Sequence, residues 1–197
     1  SWRNIAGGRP NFSIPELSEI AGANLDIFKD LQKIKNIDFR TIDYVTFAHD
    51  NAMYKALEAS MAWSDAEMIS SKDFATRVAP SINPNLASTY ESALMTHDCW
   101  QATPGRVVDL LRSIGLQNGG AIEEDCKLID VQKKGEKFIA LVQTHDKEFI
   151  EYEAEHFINA LGPEGAEFAH KLGLETGIYP VKHQAFITRR LPMLGVN

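Results

Sequence analysis

The chain has 197 residues, a formal net charge of −7 and 44% hydrophobic residues, which excludes a disordered tail, a collagen-like repeat and a disulfide-stapled miniprotein. Its 27 acidic against 20 basic residues argue against nucleic-acid binding, because neutralising phosphates needs a clustered basic face. The longest apolar stretches, such as Phe138 to Val142, are far below the roughly 18 residues needed to span a bilayer, and the opening residues lack the apolar run of a signal peptide. The expectation is therefore a cytoplasmic chain of one or two cored lobes. Its two cysteines, Cys99 and Cys126, have no CxxC or His-rich companion, so reduced thiols are expected rather than a zinc site or a dithiol.

In chain order, residues 1–15 are marked by Gly and Pro and read as a loop holding the Gly7-Gly8 pair. From Glu16 to Gln32, Leu17, Ile20, Ala21, Asn24, Phe28 and Leu31 recur at three- and four-residue steps, which predicts an amphipathic helix. Phe39 to Ala48 is β-branched and aromatic and predicts a strand. Two helical pieces follow at residues 51–61 and 71–78, the second opened by a Ser cap with Asp73 in its first turn. Residues 81–96 show no clear period.

The second half carries sharper signals. Thr103-Pro104 reads as a cap followed by Pro at the first helical position, and Val107, Val108, Leu111 and Ile114 form one apolar face that ends near Asn118-Gly119-Gly120. Short strands are then predicted at residues 121–123, 127–132, 138–144, 148–152 and 156–159, with tight turns at Lys134-Gly135 and His145-Asp146-Lys147. A short helix at residues 165–172, closed by Gly173, and a last strand at residues 179–188 complete the order. This succession predicts an α/β unit with an antiparallel β-meander inserted on a mainly parallel sheet, joined to an α+β lobe.

Four stretches give this pattern a family likeness. Ser1-Trp2-Arg3-Asn4-Ile5-Ala6-Gly7-Gly8-Arg9, the Pro-led helix from Thr103, the strand Ala121 to Glu123 with its sequel Lys127 to Asp130, and His156-Phe157-Ile158-Asn159-Ala160-Leu161-Gly162 occur in an order that resembles the D-amino-acid oxidase and glycine/sarcosine oxidase group of flavoenzymes. Tyr179-Pro180-Val181-Lys182-His183-Gln184 resembles the segment that leads back to that group's substrate lobe. The resemblance implies FAD as cofactor, a Rossmann-like FAD/NAD(P)-binding domain, an amine or amino acid as small-molecule substrate, and hydride transfer from its C–N carbon to the flavin. It places Arg3, Asn4, Gly7, Gly8, Leu128, Ala160 and Gly162 on the cofactor side, and names no catalytic residue. It also divides the chain into a remainder of the FAD-binding domain, residues 1–38 and 97–178, and a substrate cap, residues 39–96 and 179–197.

The chain departs from the group's pattern in two places. The G-x-G-x-x-G fingerprint with its downstream acid is missing, so the expectation is the middle of a longer protein, and Leu161-Gly162-Pro163 replaces the usual small residue, Gly and Trp. None of the six histidines has a spacing that suggests a metal, and the adjacent pairs His49-Asp50 and His97-Asp98 do not imply a dyad, since sequence neighbours seldom face one another. The acidic run Glu123-Glu124-Asp125 reads as a solvated edge. Two alternatives stand beside the amine reading: a noncatalytic binding module of the same fold, and a flavoenzyme acting on a hydroxy acid or polyol phosphate.

Overall fold

In the computed structural model, residues 6–78 and 92–182 are described. They fall into two units that divide between Gly119 and Gly120. The first contains strand β1 (Gly7–Gly8), helix α1 (Pro15–Ile34), strand β2 (Arg40–Ala48), helix α2 (Asn51–Ser60), strand β3 (Ala66–Ser70), the single turn α3 (Ser71–Asp73) running into a π-helical turn at Phe74–Val78, strand β4 (Ser92–Gln101) and helix α4 (Pro104–Gln117). The second contains strands β5 (Lys127–Lys134), β6 (Lys137–Gln143) and β7 (Phe149–Ala154) and helix α5 (Gly165–Lys171).

Strand β4 organises the first unit. β2 runs antiparallel along one of its edges, from Arg40 opposite Gln101 to Ala48 opposite Ser92. Its other edge is shared by β3, which takes residues 92–96, and β1, which pairs Gly7 with Gln101 and Gly8 with Trp100. Five consecutive residues, Ser92 to Thr96, are buried, so both faces of the strand are covered. A strand covered on both faces has no reason to alternate apolar with polar residues, and this is why the sequence pattern does not announce it. The pairing steps from Ile42–Cys99 to Tyr44–Thr96, so one residue of β2, Asp43, faces two of β4. Asp98 takes up the extra length at φ 54°, a backbone region that Asp tolerates better than most residues.

Two apolar clusters hold this unit. Ile69, Phe74, Ala93 and Met95 pack with Val45 and Phe47, and the Phe47 and Phe74 rings meet edge to face at 5.1 Å. Leu31, Ile37, Ala102 and Leu110 pack with Phe28, Phe39, Val107 and Ile114, joining α1 to α4. Phe28 and Leu31 of the predicted α1 face and Val107 and Ile114 of the predicted α4 face join this cluster, and the remaining predicted apolar positions do not. α1 buries Leu25 and Leu31 while Leu17 and Ile20 stand exposed, and α4 buries Leu110 while Val108 and Leu111 stand exposed. Both helices are apolar over more than one face, so spacing alone does not choose between them.

Local hydrogen bonds set the connections. Gln32 Oε1 accepts from the amides of Ile37 and Phe39, turning the chain out of α1 into β2. Asp38, at φ 58°, accepts from the Thr103 hydroxyl at 2.7 Å and from the Arg106 guanidinium at 2.8 Å. Thr103 thus stands at the predicted cap position of α4 but makes no side-chain bond to that helix, because Asp38 takes its hydroxyl. Asp50 caps α2 through the Met53 amide, and Ser70 caps α3 through Asp73.

In the second unit β5, β6 and β7 form the expected antiparallel meander. Gly135, at φ 64°, closes the first hairpin. Val131, Phe168 and Ala169 are its buried apolar residues, and Lys171 of α5 donates to the Ile129 carbonyl at 3.1 Å. Gly173, at φ 76°, ends α5.

The mixed α/β architecture with a β-meander is therefore present, and among the described residues no parallel ladder is. Every ladder among the described residues is antiparallel. Residues 121–123 and 156–159, both predicted as strands, form no ladder. A parallel strand is held only by flanking strands, and among the described residues neither stretch has one. Residues 179–182 are irregular as well, and the rest of the last predicted strand lies outside the described residues.

Leu110 is 3% exposed. Leu110→Ala is expected to lower stability by about 2–5 kcal/mol, read as a lower urea midpoint with an unchanged slope, whereas Leu111→Ala on the exposed face should change it by about 0.5 kcal/mol or less.

Candidate functional site

β1 lies at the end of β4 nearest α4, and its two glycines do different things. An ideal Cβ on Gly8 would stand 2.1 to 2.6 Å from the Trp100 indole, whereas one on Gly7 would meet nothing within 4 Å. Gly8 is thus the seat of a buried tryptophan, and only a residue without a side chain fits there. Gly7 keeps an open backbone face. Two depressions adjoin this seat. One, of about 400 Å³, is lined by Gly7, Phe28, Trp100, Ala102 and Val107 among others. The other, of about 410 Å³, is lined by Arg9, Phe12, Ala21, Asn24, Tyr44 and Trp100 as well as the two glycines.

The walls of the second depression are held from behind. The Phe12 amide donates to Ser18 Oγ at 2.9 Å, and the Phe12 carbonyl accepts from Trp63 Nε1 at 2.9 Å. Asn11, 7% exposed, donates to the hydroxyls of Ser60 and Ser64. The Arg9 guanidinium lies 5.0 Å from the centre of the Phe12 ring and 5.2 Å from that of Tyr44, within the range of cation–π attraction.

The second unit has a larger cavity of about 710 Å³, whose walls include Phe138, Phe157, Asn159, Gly162, Ala169 and Leu172. Asn159 shapes its mouth. Its Nδ2 donates to the Gly165 carbonyl at 2.7 Å and its Oδ1 accepts from the Leu161 amide at 3.3 Å. Gly162, at φ 61°, adopts a conformation that favours glycine, with open space where a Cβ would stand.

The expected cofactor-side residues are thus distributed. Gly7 and Gly8 line the depressions of the first unit and Gly162 the cavity of the second. Leu128, half-buried on β5 opposite Val142, and Ala160, exposed, do not line that cavity. Arg3 and Asn4 lie outside the described residues. Arg9, Trp100 and Asn159 were not singled out from the sequence as site residues. Arg9 and Asn159 stand within the quoted motifs, but Trp100 follows no readable period.

Titratable groups add little chemistry. His97 turns away from its neighbour Asp98 and meets Asp43 across the bulge at 3.0 Å. The hydrogen bond to Asp43 raises its pKa above the ordinary 6.5, against a small opposing effect of burial. Burial pushes the Cys99 thiol up to about 11, so it is protonated and unreactive at neutral pH. His170 has Glu175 3.5 Å away on the surface. Glu123 accepts a hydrogen bond from the Tyr152 hydroxyl at an exposed edge. Among the described residues no group of three or more His, Cys, Asp or Glu could hold a metal, and no helix is long and apolar enough to cross a membrane.

A family model described as FAD dependent oxidoreductase (DAO) matches residues 1–196. The chain belongs to this family. DAO members are FAD-dependent, so FAD is the cofactor of the family. Among solved structures the DAO chain is similar to glycine oxidase from Geobacillus kaustophilus, at TM-score 0.67 and 12% identity over 91% of this chain and 50% of that one. It is also similar to L-proline dehydrogenase from P. horikoshii, at TM-score 0.66 and 12% identity over 85% and 44%. A third likeness is to dithionite-reduced L-α-glycerophosphate oxidase from Mycoplasma pneumoniae with FAD bound, at TM-score 0.51 and 17% identity over 77% and 42%. At these identities the likeness is one of fold, and the chain spans half or less of the length of each structure. No curated protein sequence matches the chain.

Two outcomes are expected. Gly8→Ala should cost about 1–3 kcal/mol, as overpacking does, and pairing it with Trp100→Leu should recover part of the loss, read by urea unfolding. NMR titration should place the His97 pKa above 6.5, and Asp43→Asn should bring it down. Because the folded value is raised, the pair stabilises the fold fully below the unfolded-state pKa and ceases to do so as pH rises through the folded one.

Proposed function

We propose that this chain supplies flavin-side and substrate-side parts of an FAD-dependent oxidoreductase that oxidises the C–N bond of an amine or amino acid. The observation that carries the reading is the open face of Gly7 beside a depression of about 400 Å³. A strand without side-chain bulk lets a flat ring approach its backbone to contact distance, and Trp100, seated on Gly8, fixes the position of that strand. FAD, when bound, supplies an acceptor for the electron pair released at the substrate carbon. The part of this chain is to bind and orient.

On this reading Arg3, Asn4, Gly7, Gly8, Leu128, Ala160 and Gly162 are the cofactor-side residues. Residues 1–38 and 97–178 belong to the FAD-binding portion, and residues 39–96 and 179–197 to the cap. A cytoplasmic site of action accompanies it. The amino-acid substrate class is supported by the names of similar structures, among them proline dehydrogenase, glycine oxidase and an L-amino acid deaminase. The likeness to a glycerophosphate oxidase supports a second reading, oxidation of a polyol phosphate.

Titrating the chain with FAD should quench flavin fluorescence, and Gly7→Val should weaken that binding about tenfold or more with an unchanged circular dichroism spectrum. Absence of quenching, or equal binding by the variant, contradicts the reading and favours a noncatalytic module. With flavin bound and oxygen excluded, bleaching by amino acids but not by glycerol phosphate supports the amine reading, and the converse supports the second.

A further inference from the structure

Helix α4 ends on the chain's one asparagine–glycine step, Asn118-Gly119, and that step carries chemistry as well as a stop signal. A glycine after asparagine leaves its backbone nitrogen unshielded by a side chain, so the nitrogen attacks the asparagine carboxamide wherever the backbone brings the two together. Water reaches this step, because residues 115–127 are exposed without interruption. An ideal Cβ on Gly119 would meet nothing within 4 Å, so no neighbour crowds that flank.

The folded cap holds the two reacting groups apart. Asn118 Nδ2 donates to the Ile114 carbonyl at 2.8 Å. The Gly119 amide donates to the Leu116 carbonyl at 3.1 Å, which keeps its proton in place. Asn118 has φ −90° and ψ 16°, and at that ψ the Gly119 nitrogen nearly eclipses the Asn118 nitrogen and stands away from the side chain. The lock is the last turn of a helix, the part that frays first. Ile114 is half-buried and residues 115–118 are exposed, so opening this turn uncovers little apolar surface. One opening frees the carboxamide, the amide proton and the ψ rotation together.

We propose that Asn118 is a modification site, at which the side-chain amide is lost spontaneously and the C-terminal turn of α4 is the gate. With the turn open, the Gly119 nitrogen gives up its proton to solvent hydroxide and attacks Asn118 Cγ. The N–Cγ bond forms and the Cγ–Nδ2 bond breaks. The departing nitrogen takes a proton from water and leaves as ammonia, which restores the hydroxide. Water then adds to either carbonyl of the cyclic imide. Breaking the new Cγ–N bond gives aspartate, and breaking the original peptide bond gives isoaspartate. No oxidant or reductant takes part. Both products lose the donor to Ile114 and place a negative charge at the end of the helix, where its dipole disfavours one. No basic residue stands in the last turn of α4 to offset that charge, so the reaction removes the cap that restrained it.

The test needs no ligand and is independent of the oxidoreductase reading. The whole chain is held at mildly alkaline pH, folded and unfolded in guanidinium chloride, and its asparagines are followed by peptide mapping with mass spectrometry that separates aspartate from isoaspartate. Conversion is expected at Asn118 before any other asparagine, and about tenfold or more slower in the folded chain than in the unfolded one. Asn118→Asp, one of the two products, should lower the urea midpoint with an unchanged slope. Earlier conversion of another asparagine in the unfolded chain overturns the site, and equal rates in the two states overturn the gate. A midpoint unchanged by Asn118→Asp overturns the claim that the product uncaps α4.

Discussion

The first unit depends on β4 having no free side. Its two edges are bonded to three strands and its residues from Ser92 to Thr96 are buried without interruption, so its backbone groups are paired and its side chains desolvated together. A strand in that position is the stiffest part of a sheet, because any displacement breaks ladders on both edges at once. The end of β4 inherits that rigidity. Trp100 is placed by the ladder, Gly8 is placed by Trp100, and the open face of Gly7 and the reach of Arg9 follow from Gly8. The site is built on a strand rather than on a loop, which is how small binding constellations are held to useful precision.

Where the sequence carried a single dominant period, the fold could be read from it. β2, β5 and the β5–β6 turn fall close to their predicted places, since each combines β-branched residues with a Gly or polar stop. β4 could not be read, because burial on both faces removes alternation and the bulge places His97 and Asp98 in mid-strand. The helix faces were legible only in part, for a different reason: Phe28, Leu31, Val107 and Ile114 pack as expected, and other apolar positions do not. α1 presents Leu17, Ile20, Ile27 and Ile34 to solvent, all more than 40% exposed, so its apolar pattern has two candidate faces and only tertiary packing decides between them. Residues 121–123 and 156–159 have strand-like composition, but composition cannot supply the neighbouring strand a ladder requires.

The site was legible in its glycines and illegible in its partners. Gly7, Gly8 and Gly162 stand out because each ends or begins an element, and all three line depressions. Their reasons differ: Gly8 admits an indole, Gly162 supplies a positive φ, and Gly7 leaves space. Nothing in the local pattern tells these apart, because each depends on what lies across from the glycine. Arg9 was visible as the last residue of the opening motif, yet its importance comes from Phe12 and Tyr44, the second of which reaches it from another strand. The FAD-dependent family supplies the frame for these residues, and the open face of Gly7 is this chain's own contribution to it.

The central claim is that β4 is the rigid support from which the Gly8–Trp100 seat and its two depressions hang. Native-state hydrogen exchange read residue by residue tests it most directly. The account predicts that the amides of Ala93 to Thr96 and of Cys99 to Gln101 exchange only through global unfolding of the first unit, with one shared free energy, while amides of the exposed strand β7 exchange much faster. Exchange of the Cys99 to Gln101 amides as fast as that of β7 would contradict it, because the seat would then hang on a strand end that opens on its own.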